Sequence, residues 1–331
     1  MATTVSDRSE AELIAAIQAH LAPAPPWLIV GIGDDAAVVE PERNRLEVLT
    51  VDALVDGVHF DRRFVPPDAI GHRALAANVS DLAAMGAAPR LALLSLALPA
   101  TWPLADFEAF AAGFGRLAAA HRIHVAGGNL TRTPGPLVVD VTLIGSVKRR
   151  RALLRRGARP GDLVFVSGSI GAAAAGLDML RRLGEGAPAN ACTSRYLRPE
   201  ARLRLGLLLG RNRAATACMD LSDGLADAAR QIAQASRVGM AIDGGQVPLD
   251  PDARAWSSEQ GRDALLDAVT GGDDYELMFT VRPRQANRLR TVASQSGVPI
   301  TRIGVCTTGG EVLLQQDGVE TPMPRGYGHF R

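Results

Sequence analysis

The stretch AATACMDLSDGLADAARQIAQAS, residues 214–236, predicts a strand, a tight turn and a helix in direct succession. The apolar residues 214–219 form the predicted strand, and residues 225–236 form the predicted helix. Such a turn leaves free backbone N–H groups and a partial positive charge at the start of the helix, where an anion binds favourably. Ser222 can donate a hydrogen bond to a phosphate oxygen there. Ser222 or Asp223 can also simply cap the helix, and the two functions are compatible.

The same alternation of strands and helices extends over the rest of the chain. A chain of 331 residues is long for one hydrophobic core, so we expect an α/β protein of two domains. The basic segment 149–162 contains several turn-forming residues and predicts the boundary, giving domains 1–148 and 149–331. A capping box at Ser9 predicts an additional first helix, and a short strand pair is expected at the end. The other predicted strands are 46–51, 91–98, 137–147, 163–167, 238–242 and 276–281, and the other helices are 68–85, 104–120, 171–183, 200–209 and 284–296.

Composition excludes several classes of protein. Hydrophobic residues make up 47% of the chain and charged residues 21%, which is typical of a folded globular protein. The net charge of +1 provides no overall field for nucleic acid or an anionic membrane, so neither is an expected partner. Three widely spaced cysteines predict neither a disulfide framework nor a zinc site. The N-terminus lacks an apolar signal core, and no apolar run is long enough for a membrane span, so a cytoplasmic location is expected.

Lys148 is the only lysine in the chain. P-loop proteins and protein kinases both place a lysine on the nucleotide phosphates at a fixed point of a motif. No glycine-rich loop precedes Lys148, so neither solution applies.

A recurring unit, an acidic or amide residue beside glycine or another small residue, carries the chemical information. Any one of these units is also explained by a turn or a helix cap. Asp81 differs, because a carboxylate within an apolar helix is unfavourable unless it is paired or binds metal. Several carboxylates without histidine or cysteine partners favour magnesium, which can bridge the phosphates of ATP. The units lie at residues 31–35, 50–52, 78–81, 127–129, 220–224 and 271–276.

In this order, the motifs resemble those of the thiamine-monophosphate kinases. The phrases are GIGDDAAVV, TVDALVDGVHF, NVSDLAAMGAAPR, RRGARPGDLVFVSGSIG, MDLSDGLADAARQIA and GGDDYELMFTV, and the resemblance covers residues 31–330. These kinases belong to a superfamily that includes aminoimidazole ribonucleotide synthetase and selenophosphate synthetase. The resemblance implies an N-terminal α/β domain that contributes to a shared sheet in a homodimer. It also implies a C-terminal α/β domain that covers the nucleotide cleft.

The resemblance also implies residue roles and an activity. The reaction would transfer the γ-phosphoryl group of ATP to thiamine monophosphate. No general base is expected, because the acceptor phosphate oxygen is already anionic. The implied magnesium ligands are Asp35, Thr50, Val51 (through its backbone), Asp52, Asp81, Asn129, Asp220 and Asp223. The implied ATP contacts are Gly128, Asn129, Arg155 and Ser222, and the implied contacts to thiamine monophosphate are His59, Asp273 and Tyr327.

Two positions depart from the family pattern. Asn129 stands where the family has an aspartate, so one negative charge of a magnesium site is lost. Asp273 stands where the family usually has a glutamate, and its side chain is one methylene shorter. His59 and Tyr327 also have plainer interpretations, as a turn histidine and a packed aromatic, although a tyrosine face suits the cationic thiazolium ring.

Three alternatives remain open. Another ATP-dependent enzyme of the superfamily would act on a different acceptor. A nucleotide-binding protein without turnover is suggested by Asn129. A nucleic-acid-binding module would use the basic residues 148–156, but apolar residues interrupt that run and aromatic residues are absent from it.

Overall fold

The computed structural model describes residues 3–326, apart from the side chain of Glu185. Backbone contacts divide the chain into two units. The first unit contains the residues up to Val79 together with Ala88–Arg149. The second contains Ser80–Ala87 together with the residues from Arg150 onward. The second unit thus includes a short segment of the N-terminal half of the chain.

The first unit is built on a four-stranded sheet with the order β3-β6-β4-β5, in which only the β4–β5 pair is parallel. A separate two-stranded sheet pairs β1 with β2. The last residues of α2 belong to the second unit. The elements are α1 Glu10–Gln18, β1 Leu28–Val30, β2 Val38–Val39, β3 Arg45–Val55, α2 Pro67–Ala84, β4 Ala88–Pro99, α3 Leu104–His121, β5 His124–Thr133 and β6 Val138–Lys148.

Local sequence signals account for the helices of this unit. Ser9 and Glu12 form the predicted capping box at the start of α1, which buries Leu13 and Ile17. Helices α2 and α3 approach closely at two glycines, where a Cβ on Gly71 or Gly113 would collide with the backbone of the other helix. This contact requires glycine, and the helical periodicity alone does not reveal it.

One face of the four-stranded sheet exposes apolar side chains. Leu49 and Val51 of β3 are 63% and 59% exposed, and Leu93 of β4 is 36% exposed. Cross-strand pairing through Thr142 places Val51 and Leu93 in one row, so they project from the same face. The opposite face includes the buried Leu54, Val139 and Leu96, which share another row.

The second unit contains a seven-stranded sheet with the order β13-β12-β9-β11-β7-β10-β8. Its pairs are antiparallel except for β9 with β12. The elements are β7 Leu163–Ser167, α4 Ala172–Leu183, α5 Ala191–Leu197, α6 Leu203–Asn212, β8 Ala217–Asp220, α7 Leu225–Ser236, β9 Gly239–Asp243, α8 Pro251–Glu259, α9 Ala264–Thr270, β10 Leu277–Val281, α10 Ala286–Ser296, β11 Ile300–Thr307, β12 Val312–Gln316 and β13 Val319–Pro322.

The predicted mixed α/β class is confirmed, and most predicted elements are present within a few residues of their expected bounds. Strands β1, β2 and β5 and helices α5, α8 and α9 were not predicted, and three strands rather than a pair follow α10. Helix α8 has a low content of large apolar residues, and it is stabilised at its start by Asp250, which accepts hydrogen bonds from the backbone of Asp252 and Ala253. Among the described residues, no helix combines the length and hydropathy needed to span a bilayer.

Candidate functional site

The stretch from β8 to α7 forms the centre of the candidate site in the second unit. Strand β8 ends at Asp220, one residue beyond its predicted end, and α7 starts at Leu225, as predicted. Gly224 precedes the helix with φ of 92°, and a Cβ there would collide with the carbonyl oxygen of Gly271. Glycine is therefore needed for both the turn and the close approach of residues 271–276.

A backbone ladder joins this turn to residues 271–276. The Leu221 amide donates to the Glu276 carbonyl at 2.8 Å, and the Tyr275 amide donates to the Leu221 carbonyl at 3.2 Å. The Asp273 amide donates to the Ser222 carbonyl at 2.7 Å. These bonds extend the antiparallel pairing of β8 with β10 beyond both strands. Two motifs that are about 50 residues apart in the sequence thus form one surface.

The three acidic side chains of residues 271–276 have different environments. Asp274 and Glu276 are buried, whereas Asp273 is partly exposed. Asp273 and Tyr275 both have positive φ, 65° and 51°, and the Tyr275 hydroxyl donates to Oδ1 of Asp273 at 3.2 Å. Of these three carboxylates, Asp273 is the one accessible to a ligand.

Glu276 is fully buried in an ion-pair cluster that the motif analysis missed. Its carboxylate accepts hydrogen bonds from Arg195 Nη1 at 2.9 Å, from Arg202 Nε at 2.7 Å and from the Ser167 hydroxyl at 2.5 Å. The only sequence signal was an acidic residue at the edge of an apolar strand, DYELMF. The cluster anchors the end of the 271–276 segment, next to the ladder.

Asp274 holds the start of α4. Its two oxygens accept hydrogen bonds from the amides of Gly171 at 2.6 Å and Ala173 at 3.1 Å. Burial raises the pKa of Asp274 from 3.8 to about 7, although both amides and Arg195 act in the opposite direction. The nearby Glu276 charge adds to the increase in this pKa.

The raised pKa of Asp274 makes stability depend on pH. Between about pH 4 and pH 7 the folded chain keeps a proton that the unfolded chain releases, so the free energy of unfolding falls as pH rises. We expect this group to contribute a decrease of up to about 4 kcal/mol over that range. Urea unfolding at several pH values should show a flatter profile for Asp274→Asn. Asp263→Asn, which replaces an exposed capping carboxylate of α9, controls for loss of a negative charge. Identical profiles for Asp274→Asn and the wild type would contradict the assignment.

Asp220 and Asp81 are the predicted metal ligands on β8 and α2. Asp220 is 3% exposed, and its Oδ2 accepts a hydrogen bond from the buried Ser80 hydroxyl at 2.8 Å. Asp81, the next residue of α2, is partly exposed. Ser80 was not predicted as a site residue. The signal in the sequence was a serine next to Asp81 within an otherwise apolar helix, where a polar side chain needs a hydrogen-bond partner. Ser80 thus links the end of α2 to the end of β8.

One further predicted residue, Arg155, lies against α7. The Arg155 guanidinium donates to the Gln231 side chain, and Gln231 Nε2 donates to Asp227 at 2.5 Å. Both partners are on α7, so Arg155 lies against the helix that follows the 220–224 turn. Tyr327 is outside the described residues. A Cβ on Gly326 would lie 3.1 Å from the Asp223 carbonyl oxygen, so the chain just before Tyr327 passes the same turn.

In the first unit, Thr50 and Asp52 are partly buried on one face of β3, and Val51 projects from the other. Cross-strand pairing runs from Asp52 through Val141 and Leu94 to Gly128. Three strand spacings separate the ends of this row, about 14 Å, so Asp52 and Gly128 cannot contact the same ion directly. Asn129 is in the neighbouring row.

Asp35 and His59 are in turns of the first unit. Asp35 is exposed, and its amide donates to Oδ1 of Asp34 at 2.8 Å. His59 Nδ1 accepts a hydrogen bond from the Val55 amide at 3.1 Å. A neutral imidazole that accepts at Nδ1 carries its proton on Nε2.

The predicted ligand atoms are oxygens, which are the atoms that magnesium prefers. Burying the Asp220 carboxylate is unfavourable, and a cation would offset that penalty more fully than the Ser80 hydroxyl. Asp81, Asp220 and Asp223 do not form a group with all three carboxylates within 4.8 Å of one another.

Among the described residues, the group of three potential ligands within 4.8 Å of one another is Cys192 with Asp250 and Asp252. Asp250 caps α8, and burial raises the pKa of the Cys192 thiol to about 12. A protonated thiol is a poor partner for magnesium, so we assign no metal there.

Comparison with known families agrees with this architecture. Residues 33–147 match the N-terminal domain of AIR synthase related proteins, and residues 159–315 match the C-terminal domain. Thiamine-monophosphate kinase of Bacillus subtilis is 37% identical over 91% of this chain and 94% of its own length. The Escherichia coli K12 enzyme is 39% identical over 91% of this chain and 92% of its own length.

Solved structures share the fold over almost the whole chain. Thiamine-monophosphate kinase from Stenotrophomonas maltophilia K279a has a TM-score of 0.83 at 38% identity, covering 95% of this chain and 98% of its own. AaThiL complexed with AMPPCP and TMP has a TM-score of 0.77 at 34% identity, covering 97% of both chains. With the matched domains and these relatives, the chain belongs to the thiamine-monophosphate kinase family, and it is a kinase.

Proposed function

We propose that this chain transfers the γ-phosphoryl group of ATP to thiamine monophosphate and releases thiamine diphosphate and ADP. The main support is the ladder that joins residues 220–224 to residues 271–276, because it places predicted nucleotide and substrate residues on one surface. The relatives named thiamine-monophosphate kinase and the AaThiL complex with AMPPCP and TMP support the choice of substrates.

The reaction forms one bond and breaks one. A phosphate oxygen of thiamine monophosphate attacks the γ-phosphorus, and ADP leaves with the oxygen that bridged the β- and γ-phosphorus atoms. We assign no general base, because the attacking oxygen is already anionic. In the proposed site, the start of α7, Ser222 and Arg155 orient the ATP phosphates. His59, Asp273 and Tyr327 are assigned to thiamine monophosphate. Gly128 and Asn129 are assigned to the nucleotide.

The proposed metal is magnesium, as several ions held among Asp35, Thr50, the Val51 backbone, Asp52, Asp81, Asn129, Asp220 and Asp223. When bound, it would neutralise the negative charge of the two phosphate groups as they approach. The side chains contribute hard oxygen donors, and Ser80 restrains Asp220 through its Oδ2. Asn129 is a neutral side chain among these ligands.

We propose that domain 1–148 carries dimerisation and domain 149–331 completes the cleft.

Purified protein incubated with ATP, magnesium and thiamine monophosphate should form ADP and thiamine diphosphate in equal amounts. ADP without thiamine diphosphate would point to a different acceptor within the superfamily. Tight ATP binding without transfer, with manganese as well as magnesium, would support the non-catalytic alternative. The assay therefore separates the substrate proposal from the broader kinase assignment.

We also propose a homodimer formed through the exposed apolar face of the four-stranded sheet. Leu49, Val51 and Leu93 would be buried there against the same face of a second copy.

We also propose a cytoplasmic location. The three free, buried cysteines are compatible with a reducing compartment.

Val51→Glu should convert the dimer to a monomer, because a carboxylate in an apolar interface is strongly unfavourable. Light scattering after size-exclusion chromatography measures the mass directly. Val319→Glu is the matched control, since Val319 is 60% exposed in β13 and Val51 is 59% exposed in β3. A wild-type chain that is monomeric, or a Val51→Glu dimer, would overturn this part of the proposal.

A further inference from the structure

A second concave surface lies at the opposite end of the seven-stranded sheet from the candidate site. Asp220 ends β8 at the candidate site, whereas Thr216, just before β8, lines this groove. Likewise, β10 starts after residues 271–276, and Arg282, just after its end, lines the groove. The four residues of β8 place Asp220 about 13 Å from the groove end of the strand. The two surfaces come closest at Arg155, which we assign to ATP and whose carbonyl oxygen accepts a hydrogen bond from the groove-lining Ser236.

The groove is strongly positive. Among the residues that line it are six arginines and no aspartate or glutamate: Arg150, Arg151, Arg156, Arg159, Arg213 and Arg282. Within the described part of the chain, none of these six makes an ion pair, although arginine forms ion pairs at many other positions of this structure. The buried Asp162 carboxylate is close by, but it accepts hydrogen bonds from the Thr216 hydroxyl and the Arg159 amide.

The groove also contains hydrogen-bonding atoms that lack protein partners. Nε of Arg282, a donor, is buried and has no hydrogen-bond partner among the described residues. Oε1 of Gln285 also lacks a partner there, but it is an acceptor and would need a donor rather than an anion. Both residues line the groove. Six uncompensated guanidinium groups repel one another, and a bound anion would relieve that repulsion while accepting their hydrogen bonds.

Size and lining indicate the class of anion. The cavity volume is about 690 Å³, which lies in the range of small-molecule sites. The planar guanidinium group matches phosphate oxygens in pairs. No aromatic residue lines the groove, so it lacks a platform on which nucleic-acid bases could stack.

We propose that this groove binds a small polyanion bearing several phosphate groups, at a position distinct from Asp220 and residues 271–276. The basic segment 149–162 was predicted as a domain boundary. The groove also explains why the segment is rich in arginine, because Arg213 and Arg282, which are distant in sequence, line the same surface.

Calorimetric titration of the full chain with inorganic tripolyphosphate, at physiological salt and with a chelator present, tests the proposal. We expect saturable binding that weakens about tenfold or more in Arg159→Gln/Arg213→Gln, because two charge-assisted contacts are lost. Arg43→Gln/Arg181→Gln is the matched control, since it removes the same charge from exposed arginines outside the groove, and it should bind like the wild type. Thermal melts establish that both variants fold.

Three outcomes would overturn the proposal. Absence of saturable binding would mean that the groove attracts only diffuse counterions. Equal binding by Arg159→Gln/Arg213→Gln and the wild type would place the anion elsewhere, including the phosphoryl-transfer site. Tighter, steeply salt-dependent binding of single-stranded RNA or duplex DNA would identify a nucleic-acid surface instead. None of these outcomes depends on whether thiamine monophosphate is the kinase substrate.

Discussion

Asp220→Asn is expected to lower kcat/KM for the phosphorylation of thiamine monophosphate by about 10³-fold, the upper range for loss of one preorganised electrostatic group. Asparagine keeps the shape of the side chain and can still accept the hydrogen bond from Ser80. The variant therefore removes mainly the negative charge that we assign to magnesium. Steady-state rates over a range of magnesium concentrations should also show a higher magnesium requirement.

Two matched variants make this prediction specific. Asp162 is as buried as Asp220, at 3% exposed, but lies near the other end of β8, so Asp162→Asn should keep wild-type activity once folded. Ser80→Ala removes only the hydroxyl that restrains Asp220, and a loss below about tenfold is expected. Full activity in a folded Asp220→Asn protein would remove the central metal ligand from the proposal.

Glu276→Gln is expected to lower the free energy of unfolding by about 3–5 kcal/mol. The substitution leaves the guanidinium groups of Arg195 and Arg202 without their buried counter-charge, and these side chains are only 20% and 13% exposed. Desolvated cations without a partner strongly destabilise the folded state. Urea unfolding followed by circular dichroism measures the change.

Glu200→Gln provides the control for this experiment. Glu200 pairs with the same Arg202 at 3.3 Å, but its side chain is 76% exposed, so water screens the interaction. Exposed ion pairs contribute about 0–1 kcal/mol. Similar losses for Glu276→Gln and Glu200→Gln would show that burial of Glu276 adds nothing to the stability.

The strands and helices of this protein were largely predictable because their signals are local. The capping box at Ser9, the glycine turn before α7 and the apolar residues of β7 are all visible within a few residues of sequence. Strand β5 was not predicted, because the glycines of 127–128 weaken the strand pattern. The order of motifs was specific enough to indicate the family, which the comparisons confirm.

The sequence by itself determined which residues can carry the chemistry, namely the aspartates and glycines of the turns, and it excluded the lysine-based phosphate motifs. Their roles as ligands stay predictions. Only the tertiary structure decided which of them meet, because pairing depends on long-range backbone hydrogen bonds and burial, such as those joining Leu221 to Glu276. It also separated three neighbouring acids into different roles, with Asp273 accessible, Asp274 capping α4 and Glu276 in a buried ion pair. Adjacent residues with the same charge differ in this way because solvent exposure and partners are properties of the fold.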